Sequence, residues 1–141
     1  MISTQDIKDF IAKEFPQAGC EILSVGTKTS RVRKRIGFDD LRPGGTVSGP
    51  VLMSVADFSL YVAILGEIGI VPLALTTSFN INFLRKPTPN QDIIGQCNLM
   101  KVGKKLIIGD VYLYSEGDTD PVAHAVGTYS VPPENISSTN E

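Results

Sequence analysis

Pro50-Val51-Leu52-Met53-Ser54-Val55-Ala56-Asp57-Phe58-Ser59-Leu60-Tyr61-Val62-Ala63-Ile64-Leu65-Gly66-Glu67 reads as a helix that is apolar on nearly every side, the mark of one enclosed by protein. Pro50 suits a first helical turn, and Thr46 or Ser48 stands where an N-cap belongs. Asp57 is the single charge in its interior. The apolar run continues to Ala74, which raises the question of a membrane span. Asp57, Glu67 and Pro72 interrupt it, and a charge at mid-bilayer costs about 2.5–3.5 kcal/mol. A core helix followed by a strand is the better expectation.

Downstream the period changes to two. Leu73, Leu75, Phe79, Ile81 and Phe83 are expected on one face of a long strand, with Thr76, Ser78, Asn80 and Asn82 on the other. Strand-like runs follow over residues 92–102, 106–116 and 122–131, separated by turns at 86–90, 103–104 and 117–118. Connections this short favour an antiparallel meander. Upstream, Ile7, Phe10, Ile11 and Phe15 lie at helical spacing. They predict a short amphipathic helix over residues 3–15, with Ser3 or Thr4 as N-cap and Pro16 as stop. Residues 20–37 read as extended, with Arg31, Arg33 and Arg35 on one face and Val32 and Ile36 on the other. One enclosed helix needs something to wrap it, and a curved antiparallel sheet can do so. The expectation is an α+β chain with a single domain over residues 1–132. Residues 133–141 read as a flexible tail, in which the Asn135-Ile136-Ser137 sequon is chance.

Composition narrows the function classes. The 141 residues are 42% apolar, 20% charged and 7% aromatic, enough apolar surface to fold rather than stay disordered. A formal charge of −2 and a pI near 5.4 argue against general nucleic-acid binding, which needs a basic footprint. Residues 28–42 alone carry six basic and two acidic side chains. That stripe is either a solvated strand face or a landing site for a polyanion such as a nucleotide-bearing cofactor. Cys20 and Cys97 lie in apolar stretches and read as reduced packing residues. Residues 1–15 carry charges where a signal sequence needs an apolar core, so the expected location is cytoplasmic, with no membrane partner.

Two features carry chemistry. A carboxylate in an apolar helix must be paired, hydrogen-bonded or open to a cavity. Asp57 is therefore either held structurally by a neighbouring loop or second chain, or set as a general base or nucleophile. The segment Gly44-Gly45-Thr46-Val47-Ser48-Gly49-Pro50 brings free N–H groups to a helix N-terminus, where they suit an oxyanion, a phosphate or a plain turn. Gly49 and Asp57 are eight residues apart, about 12 Å along a helix. One carbonyl cannot touch both on the same helix. If they work together, two helices from two chains lie antiparallel and share two sites.

Gly-Thr-Val-Ser-Gly-Pro-Val at 45–51, followed by Val-Ala-Asp at 55–57, resembles the hotdog-fold acyl-CoA thioesterases of the phenylacetyl-CoA and hydroxybenzoyl-CoA type. The pattern of that family is roughly His-Gly-Gly-Val and then Leu-Ala-Asp, the acid nine positions after the His. Here Ser48 stands at the His, Gly49 at the first Gly, Pro50 at the second and Asp57 at the acid. Asn80-Ile81-Asn82-Phe83-Leu84-Arg85-Lys86-Pro87 and Lys101-Val102-Gly103-Lys104 extend the similarity over residues 20–132. Arg42 stands where relatives often have an Asn that orients water.

The resemblance implies a hotdog fold and hydrolysis of an acyl-CoA thioester, with no metal and no cofactor beyond the coenzyme A ester itself. It implies Asp57 as base or nucleophile, the Gly49 amide of a partner chain polarising the carbonyl, and Thr76 or Thr77 orienting water. Ser48 is left to hydrogen-bond a carbonyl or a cap, and Val51 is an alternative amide donor because Pro50 has none. Arg42, Val51 and Asn80 are expected near substrate, with Arg85, Lys86, Lys104 and Lys105 under the CoA phosphates. A homodimer or homotetramer follows. The alternatives on the same fold are a non-catalytic acyl-CoA binding module or sensor, and a hydratase, which Ser48 in place of His disfavours. His124, the only histidine, reads as structural. The sequence has no zinc-ligand cluster, dinucleotide fingerprint or serine-hydrolase elbow.

Overall fold

The apolar helix forms as expected. In the computed structural model, which describes residues 2–133, it is α2, Gly49–Ile68. Ser48 is the N-cap, its Oγ accepting from the Val51 N–H, and Pro50 lies in the first turn. Leu52, Val55, Ala56, Leu60, Val62, Ala63, Ile64 and Leu65 are all buried. By length and composition α2 could span a membrane, but its flanks are taken up by a six-stranded antiparallel sheet that curves around it. The sheet consists of β1 (Glu21–Gly26), β2 (Thr29–Lys34), β3 (Leu75–Phe83), β4 (Ile93–Val102), β5 (Leu106–Ser115) and β6 (Ala123–Ser130). α2 packs mainly on β2, β4 and β5.

The helix comes close because the sheet gives way to it. Gly109 and Gly127 face each other on β5 and β6, and a Cβ at these positions would stand 2.8 and 2.5 Å from the two methyls of Leu60. The glycine pair is thus a socket for one leucine. A short helix, α1 (Thr4–Glu14), covers the assembly with Ile7 and Ile11 buried. Ser3 caps it through a reciprocal bond with Asp6. After Phe15 a 3-10 turn at Pro16–Ala18 ends on Gly19 in the left-handed conformation.

Three sequence expectations need correction. The extended run at 20–37 is a hairpin, β1–β2, turned at Thr27 and Lys28. Lys28 has φ 57, and its N–H is held by Glu67 Oε1 at 3.0 Å, which ties the turn to the end of α2. The meander is also incomplete. The sheet order is β1-β2-β4-β5-β6-β3, so β3 pairs with β6 at the far edge rather than with β4. Pro87 and Pro89 stiffen the connection and remove donors, and it crosses the end of the sheet instead of turning back. Thr88 N–H reaches Ser115 Oγ on the way, at 2.8 Å.

The third correction concerns β3. The register shifts between Thr76 and Ser78, so Thr77 is the extra residue of a β-bulge. The bulge reverses the parity of side chains. Thr76 now shares the inward face with Phe79, Ile81 and Phe83, while Leu75 is turned out and is 65% exposed.

The basic stripe is largely paired. Arg33 bridges Glu21 and Glu116, both at 2.9 Å, Lys34 meets Asp40, Arg35 approaches Glu21 and Arg31 donates to Gln96. Arg31, Arg33 and Arg35 thus make a cross-linked strand face, while Lys34 lies apart from it, largely buried with Asp40. Burial pushes the Cys20 thiol up to about 11 and the Cys97 thiol up to about 12, which suits packing residues and not nucleophiles. The sequon and the tail beyond Pro133 lie outside the described residues.

Candidate active site

Asp57 sits half-buried midway along α2, and the bulge in β3 gives it a partner. Thr76 Oγ1 donates to Asp57 Oδ1 at 2.7 Å. From β6 the Tyr129 hydroxyl donates to the same oxygen at 2.9 Å and approaches the Asp57 backbone carbonyl at 3.3 Å. Burial, and then the Asp57 charge, push the Tyr129 phenol well above its usual range, so it stays a donor at any ordinary pH. Tyr61 stacks on Tyr129 with ring centroids 6.2 Å apart and fixes its orientation. Both hydroxyls act on Oδ1, which leaves Oδ2 with no bond among the described residues.

Asp57, Thr76 and Tyr129 line one groove of about 740 Å³, bounded by α1, the turn after it, the outer face of α2 and the start of β3. Its walls include Phe10, Phe15, Phe58 and Tyr61, and the charged side chains Glu14, Lys34 and Asp40 line it together with Asp57. The Asp57 carboxylate can accept a proton from water, or attack an electrophilic carbon, once an apolar ligand has displaced solvent.

The expected site residues separate into those that meet and those that do not. Thr76 is the hydroxyl on the acid. Thr77 turns instead to the Thr128 carbonyl at 3.3 Å. Ser48 Oγ caps α2 at 3.4 Å from Val51 N, and its own N–H goes to Asp40 O. Val51 lines the groove, but its amide is engaged in that cap. Gly49 is the first helical residue, whose N–H has no acceptor within its helix. The Phe83 ring lies 3.3 Å from where a Gly49 Cβ would stand. Arg42 is exposed in the turn closed by Thr46, and Asn80 points away from α2, opposite Val126.

The four basic residues expected under the CoA phosphates do not form one cluster within a chain. Arg85 and Lys86 follow the end of β3, where Arg85 Nε is bound to Pro121 O. Lys104 and Lys105 lie at the β4–β5 turn beside Val131, the length of β6 away, about 26 Å at strand spacing. His124 pairs with Asp110 Oδ2 at 2.9 Å and packs at a tilt against Tyr112, ring centroids 4.4 Å apart. Its neighbours in sequence, Ala123 and Ala125, are buried, which puts His124 on the face away from α2 and confirms its distance from the groove.

Tyr129 was not anticipated. The signal is present in the alternation of β6. Ala123, Ala125, Gly127 and Tyr129 face inward, and a phenol ending a row of small residues has to find a polar partner when buried.

A long helix wrapped by one curved antiparallel sheet, with a short helix at the N-terminal end, is the hotdog fold. The thioesterase superfamily model matches residues 44–122, and the chain belongs to that superfamily. A candidate thioesterase of Silicibacter sp. TM1040 is 37% identical over 94% of both chains, with a TM-score of 0.88. Two more distant structures share the fold. Thioesterase superfamily member 2 of Mus musculus is 16% identical, covering 94% of this chain and 100% of its own, with a TM-score of 0.81. The PaaI protein of the Escherichia coli phenylacetic acid degradation operon is 18% identical over 92% of both chains, with a TM-score of 0.79. No curated protein matches the sequence. Superfamily and neighbours together support a thioesterase-type function.

Proposed function

We propose that the protein hydrolyses acyl-CoA thioesters at a site completed by a second copy of the chain, as in the phenylacetyl-CoA type of hotdog thioesterase. The observation that carries this is the half-anchored carboxylate. Thr76 and Tyr129 hold Oδ1 of Asp57, Oδ2 has no hydrogen bond among the described residues, and Asp57 lines a groove walled largely by aromatic side chains. Thioester carbonyls are reactive electrophiles, and such a group needs only a positioned base or nucleophile and an amide for the oxyanion. The amide is the Gly49 N–H of the second copy. β3 supports the pairing of two copies, because it is an edge strand bonded only to β6 with Leu75 and Phe83 exposed, an edge that invites a partner.

Two routes satisfy the arrangement. Asp57 takes a proton from water as water attacks the carbonyl carbon. Alternatively, Oδ2 attacks, CoA leaves as thiolate, and water cleaves the mixed anhydride. In single turnovers in oxygen-18 water, label in Asp57 identifies an anhydride cleaved at its aspartyl carbonyl, and trapping of the acyl-enzyme with hydroxylamine detects an anhydride whichever carbonyl water attacks.

The shared site is tested by mixing. Asp57→Asn and Gly49→Pro proteins are each expected to release little thiol. Dimers exchanged between them contain one intact site, so about a quarter of the wild-type rate should return. No recovery after verified exchange rules out the shared site. Thr76→Val and Tyr129→Phe are expected to lower kcat about tenfold each with KM unchanged, because each removes one hydrogen bond to a charged group. A rise in KM with constant kcat would move these residues from orienting the acid to binding substrate.

A second reading has its own observation. Ser48 Oγ and the Val51 amide are used in capping and Pro50 has no N–H, which leaves few oxyanion donors. A non-catalytic acyl-CoA binding module would show calorimetric binding of CoA esters with no thiol release.

A further inference from the structure

An amide that serves a partner's site works only if its peptide is held still, and the Ser48–Gly49 peptide is held from both sides. The Ser48 carbonyl accepts the Leu52 N–H at 3.2 Å. Because the peptide is trans, a carbonyl aimed along the helix turns the Gly49 N–H the opposite way, out of the helix end. Ser48 Oγ accepts from Val51. The remaining bond leaves the helix altogether: the Ser48 N–H donates to the Asp40 carbonyl at 2.9 Å.

That bond is the base of a short hairpin. Leu41 and Val47 bridge next to it, and Arg42 N–H meets the Thr46 carbonyl at 2.9 Å. The tip passes through Gly44 and Gly45 at φ 100 and 81, where a Cβ would meet nothing within 4 Å. The hairpin therefore takes its position from its base. There Asp40 Oδ2 accepts the Gly37 N–H at 2.8 Å, inside its own turn, and Oδ1 meets Lys34 Nζ at 3.3 Å. Lys34 ends β2, so this pair, with side chains only 18% and 16% exposed, moors the hairpin to the sheet. Gly19 leaves room for it, since a Cβ there would stand 3.8 Å from Nζ.

We infer that Lys34, acting through Asp40 and Ser48, is a positioning residue for the Gly49 oxyanion amide. The inference rests on the shared-site reading, and it has an unexpected corollary. Lys34 lines the same groove as the Asp57 of its own chain, yet it serves the carboxylate of the other copy.

Lys34→Met and Asp40→Asn are each expected to lower kcat about tenfold with KM unchanged, because a misaimed oxyanion donor is missed mainly in the transition state. Asp40→Asn keeps the backbone carbonyl and an acceptor for Gly37. The double variant should lose no more than either single one. Subunit exchange assigns the chain. Mixed with Asp57→Asn, Lys34→Met should return about a quarter of the wild-type rate, since one intact carboxylate then meets an intact Lys34 and Gly49 from the other copy. Mixed with Gly49→Pro, it should stay near about a twentieth. The reverse pattern, equal recovery in both mixtures, or a change in KM alone overturns the inference.

Hydrogen exchange at the Ser48 amide reads the same link without substrate. Lys34→Met should speed it about tenfold, while Arg35→Met, at a side chain 74% exposed, should leave it unchanged. Unaltered Ser48 exchange in Lys34→Met also overturns the inference. If the Asp57→Asn and Gly49→Pro mixture recovers but Asp57→Asn with Lys34→Met does not, the inference falls alone. If neither mixture recovers, the shared site falls, and the catalytic part of the inference falls with it.

Discussion

Asp57→Asn is expected to leave the fold in place and to lower thioester hydrolysis by about a thousandfold, the usual size of a general-base contribution. The fold survives because an amide oxygen still accepts from the Thr76 and Tyr129 hydroxyls that now meet Oδ1. The chemistry does not, because an amide neither takes a proton from water nor attacks a thioester. Initial rates of thiol release, with thermal melts of both proteins, check the two halves. A variant that melts like wild type and works within about threefold of it would remove Asp57 from the reaction. A variant that melts much lower would instead make the acid a structural anchor.

The second large effect is on stability. Leu60 is 1% exposed, and both of its methyls lie over the glycine socket of β5 and β6. In Leu60→Ala the socket has no side chains with which to fill the void. The loss should fall high in the range for buried leucines, about 3–4 kcal/mol, seen as a melting point lower by about 10 °C. Gly127→Ala alone should also destabilise, since its methyl enters space that Leu60 occupies. In the Leu60→Ala background the same change should cost less, and a double-mutant cycle measures that coupling. Additive losses would show that the helix is not seated on the glycines as described.

These two residues show what a linear reading reaches. Leu60 and Asp57 were legible as core and as exception because both signals are local: an unbroken apolar helix and one charge inside it. The cap at Ser48, the start of α1 and the limits of β4 to β6 were legible for the same reason. The place of β3 was not. Its register with β6 links residues some fifty positions apart, and the prolines between β3 and β4 look like any turn until the sheet order is known. The bulge at Thr77 was also hidden, because the period-two alternation of Leu73 and Leu75 runs on into Phe79 in the sequence although the register has slipped by one. That slip decides which threonine meets the acid. Arg85, Lys86, Lys104 and Lys105 read as one group by chemistry, but they are divided by the length of a strand, a distance that charge and residue type do not encode.

The strand order also governs when the site comes into being. As the chain leaves the ribosome, Asp57 and then Thr76 emerge, yet β3 has no neighbour until β6 is made. Tyr129 is 72 residues beyond the acid it holds. Pairings at such long range are slow to close and leave strand edges open in the interim. A nascent or prematurely terminated chain that stops before Ala123 therefore carries its carboxylate without the Tyr129 anchor beside a sticky, unpaired ribbon, and Asp57 gains that contact only with the last strand to dock.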